Sequence, residues 1–170
     1  AAAGLSRSLG ADLDSIARAV KVFKPGRHRL ELVLDKDGIR WINDSKATNP
    51  HAAQASLFSN TKSIWIAGGL AKGAKFEELI DRSHSRIKAA ILIGTDRELI
   101  AKELKKHDVD TYFVNFKDGD QIMEQVVKKA SELAEPGDTV LLAPACASMD
   151  QFKNYADRGD QFVDAVRRLA

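Results

Sequence analysis

The stretch Ile64-Trp65-Ile66-Ala67-Gly68-Gly69-Leu70-Ala71-Lys72-Gly73-Ala74-Lys75 decides the fold. Four apolar residues with no polar alternation run into a glycine pair. Such a run suits a strand buried on both faces, as in a parallel sheet covered by helices. The glycines after it suit a turn that leaves the sheet for a helix. Similar runs recur at Ala89–Ile93, Thr111–Asn115 and Thr139–Ala143. Between them lie longer stretches with helical spacing. Thr95-Asp96-Arg97-Glu98 has the form of a capping box ahead of Leu99, Ile100 and Leu104. Asp118 to Leu133 carries Ile122, Met123, Val126, Val127, Ala130 and Leu133 on one stripe, and the last helix carries Phe162, Val163, Val166 and Leu169. Repeated strand–helix alternation predicts an α/β fold, an open and mostly parallel sheet with helices on both faces.

Towards the N-terminus the pattern changes. Leu30–Leu34 and Ile39–Asn43 are β-rich runs joined by Asp35-Lys36-Asp37-Gly38, which predicts a β-hairpin. Asn49-Pro50 then opens a helix with a cap residue and a proline at the first helical position. Before the hairpin, Asp12 is a candidate N-cap for Leu13, Ile16, Ala17, Val20 and Phe23, and Pro25-Gly26 stops that run. The Ala-rich segment ahead of it reads as another short helix. Two such helices have little of their own to pack on, so residues 1–26 are expected to be the tail of an upstream domain. A helical hairpin docked on the same domain is the alternative.

Composition narrows the function classes. The chain has 170 residues, 44% of them hydrophobic, enough for one domain with a true core. Its 26 Lys and Arg against 24 Asp and Glu leave a net charge of +2, which argues against a polybasic nucleic-acid or membrane-surface module. No apolar run is long enough to span a bilayer. One cysteine, Cys146, excludes an intrachain disulfide framework and fits a reducing, cytoplasmic compartment. Four scattered histidines without a second cysteine make no zinc pattern, and no metal site is expected in this chain.

In open parallel sheets, ligands bind outside the carboxyl ends of the strands. Three polar loops follow the predicted strands here: 43–49, 68–75 and 144–155. They bring lysines and hydroxyls to one rim beside helix N-termini, a setting for a carboxylate or a phosphate. Taken singly, each piece has a plain explanation. Gly68, Gly69 and Gly73 match neither the dinucleotide fingerprint nor the phosphate-loop spacing, and alone they read as a tight turn. Lys72 alone reads as a solvated surface lysine, and Asp44 and Lys46 alone as a cap and its neighbour. Cys146 has no histidine near it in sequence and reads as a small buried residue, not a nucleophile. His28 reads equally as an exposed hinge residue, while Trp41 and Trp65 read as sheet-face packing.

Together the loops are more specific. Asn43-Asp44-Ser45-Lys46-Ala47-Thr48-Asn49 resembles the signature that opens the C-terminal domain in the D-glutamate-adding branch of the Mur ligase family. Pro144-Ala145-Cys146-Ala147-Ser148-Met149-Asp150-Gln151-Phe152-Lys153-Asn154-Tyr155, with Arg158-Gly159, resembles that branch's C-terminal signature. His28-Arg29-Leu30-Glu31 resembles its interdomain hinge. The three motifs stand in the family's order and cover essentially the whole chain.

The resemblance implies a Rossmann-like C-terminal domain over residues 27–170, preceded at 1–26 by the closing helices of a central ATPase domain. It implies an ATP-dependent ligase that joins D-glutamate to UDP-N-acetylmuramoyl-L-alanine through an acyl phosphate, in cytoplasmic peptidoglycan precursor synthesis. ATP and Mg2+ are then the cofactors, with the metal ligands and the phosphate loop outside this chain, so that the fragment alone is expected to be inactive. Lys72 is implied as the partner of a D-glutamate carboxylate, with Thr48, Ser148 and the Met149 backbone completing the pocket and Tyr155 packing over it. Arg29, Asp44 and Lys46 are implied to face the nucleotide, Asp44 at the ribose and Lys46, the catalytic candidate, at the phosphates. Leu70-Ala71 stands where a more polar pair is expected, which makes Lys75 a competing anchor. Tyr155 stands where a phenylalanine is expected, keeping the ring and adding a hydroxyl. No nucleic acid and no membrane insertion are implied. The same domain of another ATP-dependent amino-acid ligase, of another Mur or folylpolyglutamate synthetase type, is the nearest alternative. A stand-alone anion-binding α/β domain is the alternative from a different class.

Overall fold

The computed structural model describes residues 2–23, 25–115 and 122–169. A six-stranded sheet runs in the order β1-β2-β6-β3-β4-β5. β1 (Glu31–Lys36) is antiparallel to β2 (Ile39–Asn43). β6 (Thr139–Leu142), β3 (Ser63–Gly68), β4 (Ile87–Ile93) and β5 (Asp110–Phe113) continue parallel to β2. The hairpin turns at Asp37 and Gly38, both at positive φ, as a tight two-residue turn matched to strand twist requires.

β3 and β6 lie inside the sheet, and every residue of both is buried, which accounts for their unbroken apolar runs. Side chains alternate across the sheet into two cores. On one face Leu57 of α3 (Pro50–Phe58), Ile80 of α4 (Glu77–Ser83) and Leu104 of α5 (Arg97–Lys105) pack with Trp65 and Leu141. On the other, Val126 of α6 (Ile122–Leu133) and Phe162 of α7 (Tyr155–Arg167) pack with Trp41, Ile64 and Ile66. Helices therefore cover both faces, as the alternation predicts. Trp65 is fully buried, and its indole N–H donates to the Ala143 carbonyl at 2.8 Å.

Asn49 caps α3 by accepting from the Ala52 N–H at 2.9 Å, with Pro50 at the first helical position as expected. The capping box at Thr95–Glu98 does not form. The cap residue of α5 is Asp96, and its carboxylate accepts instead from the Ala71 N–H at 2.8 Å. A tertiary demand from the loop after β3 takes the side chain that local pattern assigns to its own helix. Residues 118–121, included in the predicted stripe of α6, lie outside the described residues.

At the opposite end of the strands, Asp138 opens β6 between Lys88 at 2.7 Å and Lys62 at 3.3 Å. Burial pushes its carboxyl up, but the lysines and the Glu135 amide outweigh burial and hold it below the ordinary 3.8. N-terminal to the hairpin, α1 (Ala2–Ser8) and α2 (Leu13–Val22) bury none of their residues, and Leu13, Val20 and Phe23 are exposed. Asp12 caps α2 through the Ser15 N–H at 2.7 Å, as its position predicts. No helix among the described residues is long and apolar enough to cross a membrane.

Candidate functional site

The carboxyl ends of β2, β3, β4 and β6 form one rim because β6 is inserted between β2 and β3. The loops that leave these ends are stitched to one another. The Gly68 N–H donates to the Pro144 carbonyl at 2.8 Å, and Leu70 and Ala147 exchange backbone bonds at 2.9 and 3.0 Å. The Ala145 N–H donates to the Ala47 carbonyl at 2.9 Å. Asp150 accepts from the Thr95 N–H at 2.8 Å, tying the loop after β6 to the loop after β4. Gly68 and Gly69 permit this approach: both have positive φ, and a Cβ on either would enter a neighbouring carbonyl, that of Ile93 or of Ala147.

Arg158, in the first turn of α7, lies beneath this rim with no solvent exposure. Its guanidinium donates to the Ser45 hydroxyl at 3.0 Å, the Ser45 carbonyl at 2.9 Å and the Cys146 carbonyl at 3.2 Å. The peptide N–H groups on the far side of those carbonyls donate onward, Lys46 to His28 and Ala147 to Leu70. Arg158 thus braces the loops after β2 and β6 directly, and through their onward backbone bonds the turn at His28 and the Lys72 loop. It makes no ion pair with a carboxylate among the described residues, and burial lowers its pKa to about 10. It stays charged at neutral pH. Sequence reading includes Arg158 only as part of a motif, yet a signal is present: it lies on the same helical stripe as Phe162 and Val166, where a charge is out of place.

The turn that leads into β1 is held by a second network. The Ser45 N–H donates to Asn43 Oδ1 at 3.1 Å, which turns the Asn43 amide nitrogen towards His28 Nδ1 at 2.9 Å and Glu31 at 3.1 Å. His28 is 5% exposed and lies against Gly159, so it is buried, not exposed. His28 and Leu30 both have positive φ, which turns the chain sharply into β1.

Arg29, Asp44 and Lys46 line a common cavity of about 300 Å3, together with Pro25, Leu30 and Ser56. Asp44 accepts from Ser56 and, at 3.4 Å, from the Leu30 N–H. Burial raises its pKa above the ordinary 3.8, while those bonds and the Arg29 charge pull the other way. Lys46 Nζ reaches Tyr155 Oη at 3.0 Å, a contact that lowers the phenol's pKa from 10.0. The Ser45 hydroxyl donates to the Tyr155 carbonyl at 2.7 Å and fixes that residue's backbone.

On the other side of the rim, Ser148 is buried and Met149 is 61% exposed, while Lys72 and Lys75 are both exposed. Lys72 has φ of 51°, a backbone that L-residues adopt at a cost. Thr48 is half-buried, and its N–H donates to the Lys46 carbonyl at 2.8 Å. The loop that carries Lys72 is tied to the loop that carries Ser148 by the Leu70–Ala147 pairing and the Gly68–Pro144 bond. Cys146 is buried, and burial pushes its thiol up to about 12, which removes the thiolate a nucleophile needs. Among the described residues no group of three or more His, Cys, Asp or Glu is placed to hold a metal ion.

The model of the family described as "Mur ligase, glutamate ligase domain" matches residues 28–146. The chain belongs to the Mur ligase family. This Mur ligase domain is 49% identical over 170 residues to the UDP-N-acetylmuramoylalanine–D-glutamate ligase of Streptomyces coelicolor, a match that covers 99% of the chain and 36% of that relative. It spans little more than a third of the length of such relatives. The crystal structure of UDP-N-acetylmuramate-alanine ligase from Thermotoga maritima shares the fold at a TM-score of 0.65 and 18% identity, over 98% of this chain and 36% of that one. Mycobacterium tuberculosis folylpolyglutamate synthase shares it at 0.54 and 13% identity, over 94% and 35%.

Proposed function

We propose that this Mur ligase domain is the amino-acid-accepting C-terminal part of an ATP-dependent ligase that adds D-glutamate to UDP-N-acetylmuramoyl-L-alanine. The observation that carries this reading is the joining of the two signature loops 43–49 and 144–155 into one rim by the buried Arg158. In it, residues 27–170 form the C-terminal domain, and residues 1–26 close a preceding ATPase domain onto which the exposed apolar side chains of α1 and α2 pack. The reaction belongs to cytoplasmic peptidoglycan precursor synthesis and so to cell-wall biogenesis.

In this reading the terminal carboxylate of the UDP-linked substrate is activated as an acyl phosphate. The D-glutamate amine attacks the acyl carbon, and the tetrahedral intermediate expels phosphate to leave an amide. This chain's task is to hold the amino acid and aim its amine, and positioning alone can supply much of a rate. Lys72 pairs with one D-glutamate carboxylate, while the Ser148 and Thr48 hydroxyls and the Met149 N–H complete the pocket against the Tyr155 ring. One charged hydrogen bond of this kind contributes about 1.5–3 kcal/mol, a large share for so small a ligand.

The cavity of Arg29, Asp44 and Lys46 fits one end of a nucleotide. Asp44 has lone pairs left for a ribose hydroxyl, and the Lys46 ammonium suits a phosphate oxygen. ATP supplies the phosphoryl group when bound there.

The test is an amide-resolved NMR titration of the chain with D-glutamate, with L-glutamate as control. Binding is expected near millimolar, about −4 kcal/mol. Shifts for the D-isomer alone, clustered at Lys72, Thr48 and Ser148, are the expected outcome. Equal shifts with both isomers, or none with either, would overturn the reading.

A further inference from the structure

Lys46 and Tyr155 are 109 residues apart in sequence and come from different loops, yet they meet over the rim. The ammonium is 3.0 Å from the phenol oxygen and 4.6 Å from the ring centre. Together these distances put the nitrogen beside the hydroxyl and not over the ring centre. A lysine ammonium can only donate, so the phenol oxygen is the acceptor and its own hydrogen is left on the side away from Lys46. That hydrogen has no acceptor among the described residues. Tyr155 is only half-buried, so its O–H is open to a ligand. Lys46 keeps two further N–H groups.

A hydroxyl that accepts a bond from a cation is polarised and becomes a better donor. The positive charge of Arg29 acts on the phenol in the same sense as that of Lys46. A carboxylate or phosphoryl oxygen on the side of Tyr155 away from Lys46 would accept a bond from this polarised hydroxyl, which a ring without the hydroxyl could not offer.

We propose that the Tyr155 hydroxyl is an anion-binding group, activated by Lys46, that takes a phosphoryl or carboxylate oxygen where the nucleotide and amino-acid halves of the rim meet. Its placement of an anion here rests on the function proposed above. It gives the hydroxyl a direct role in binding, beyond packing of the ring.

The test compares the chain with Tyr155→Phe, Lys46→Gln and Lys72→Ala, each titrated by NMR with inorganic pyrophosphate and, separately, with D-glutamate. Tyr155→Phe keeps the ring, so an unchanged spectrum outside the rim confirms that it folds. It should bind one of the two probes about tenfold more weakly, and which probe it is identifies the source of the oxygen. In parallel, the 13C resonance of the Tyr155 ring carbon bearing the oxygen is followed against pH. The phenol should ionise at higher pH in Lys46→Gln than in the native chain, and at higher pH again in the native chain once the affected probe is bound. A purely structural tyrosine would not respond to the probe.

If Tyr155→Phe binds both probes as the native chain does, or more tightly, the inference is overturned; tighter binding would mean that the hydroxyl only ties up the lysine. Loss of D-glutamate binding in Lys72→Ala, with Tyr155→Phe unaffected, sinks this inference alone. Weaker pyrophosphate binding in Tyr155→Phe, with D-glutamate binding indifferent to Lys72→Ala, upholds it and sinks the ligase reading. Failure of the native chain to bind either probe overturns both.

Discussion

Arg158 grips Ser45 twice, by its carbonyl at 2.9 Å and its hydroxyl at 3.0 Å, from a position closed to solvent. A cation so placed loses its hydration without a carboxylate to replace it, and only the fork of donors to neutral oxygens compensates. The charge matters less than the shape. Guanidinium reaches three acceptors on two loops at once, which an ammonium on a flexible stem cannot do.

Arg158→Met leaves the Ser45 and Cys146 carbonyls without their buried donor. The expected loss of stability is on the order of 3 kcal/mol. Arg158→Lys keeps the charge and should recover less than half of that loss. Urea denaturation of the three proteins decides: a lysine variant as stable as the native chain would mean that the charge, and not the fork, holds the loops.

Much of this architecture is legible locally. The hairpin follows from Asp37-Gly38, the α3 cap from Asn49-Pro50, and the interior strands from apolar runs that the sheet then buries on both faces. The failures share one cause, which is long-range demand on a residue whose neighbours suggest another use. Asp96 serves the Ala71 amide and not its own helix. Nothing local announces that Lys46 and Tyr155 meet. His28 looks like an exposed hinge and is buried against Gly159. The candidate rim is legible because strand ends carry ligand loops in open sheets. The brace beneath it depends on one arginine facing inward, which only the stripe shared with Phe162 betrays.

Asp44 makes the stability of the domain depend on pH. Burial, the largest influence on it, favours the neutral carboxyl, so its pKa in the folded chain lies above the 3.8 of the unfolded chain. The folded state therefore holds this proton over a range in which the unfolded state has released it. The resulting stabilisation is full below about pH 4 and is lost as pH rises through the folded value. Asp44→Asn cannot ionise and should lack this component, while its amide can still accept from Leu30 and donate to Ser56. Urea midpoints measured from pH 4 to 7 should thus fall for the native chain relative to Asp44→Asn. A native chain that gains on the variant over that range would show that Arg29 outweighs burial.

Lys72 separates stability from binding. Its φ of 51° imposes a left-handed backbone, which costs an L-residue with a Cβ and costs glycine little. Lys72→Gly should therefore raise stability by roughly 0.5–1 kcal/mol even though it deletes a side chain. In the proposed role it should also weaken D-glutamate binding roughly tenfold or more, since a charged hydrogen bond is lost. Lys75, exposed like Lys72 but with no positive φ, provides the comparison. Lys75→Ala should leave both stability and D-glutamate binding near native values. Denaturation and NMR titration of the two variants then fix the anchor. A Lys72→Gly domain that is more stable and still binds D-glutamate normally would remove Lys72 from the site, and weaker binding in Lys75→Ala would put Lys75 there instead. The opposite signs of the two expected effects matter, because a variant that weakened binding by loosening the fold would lose stability as well.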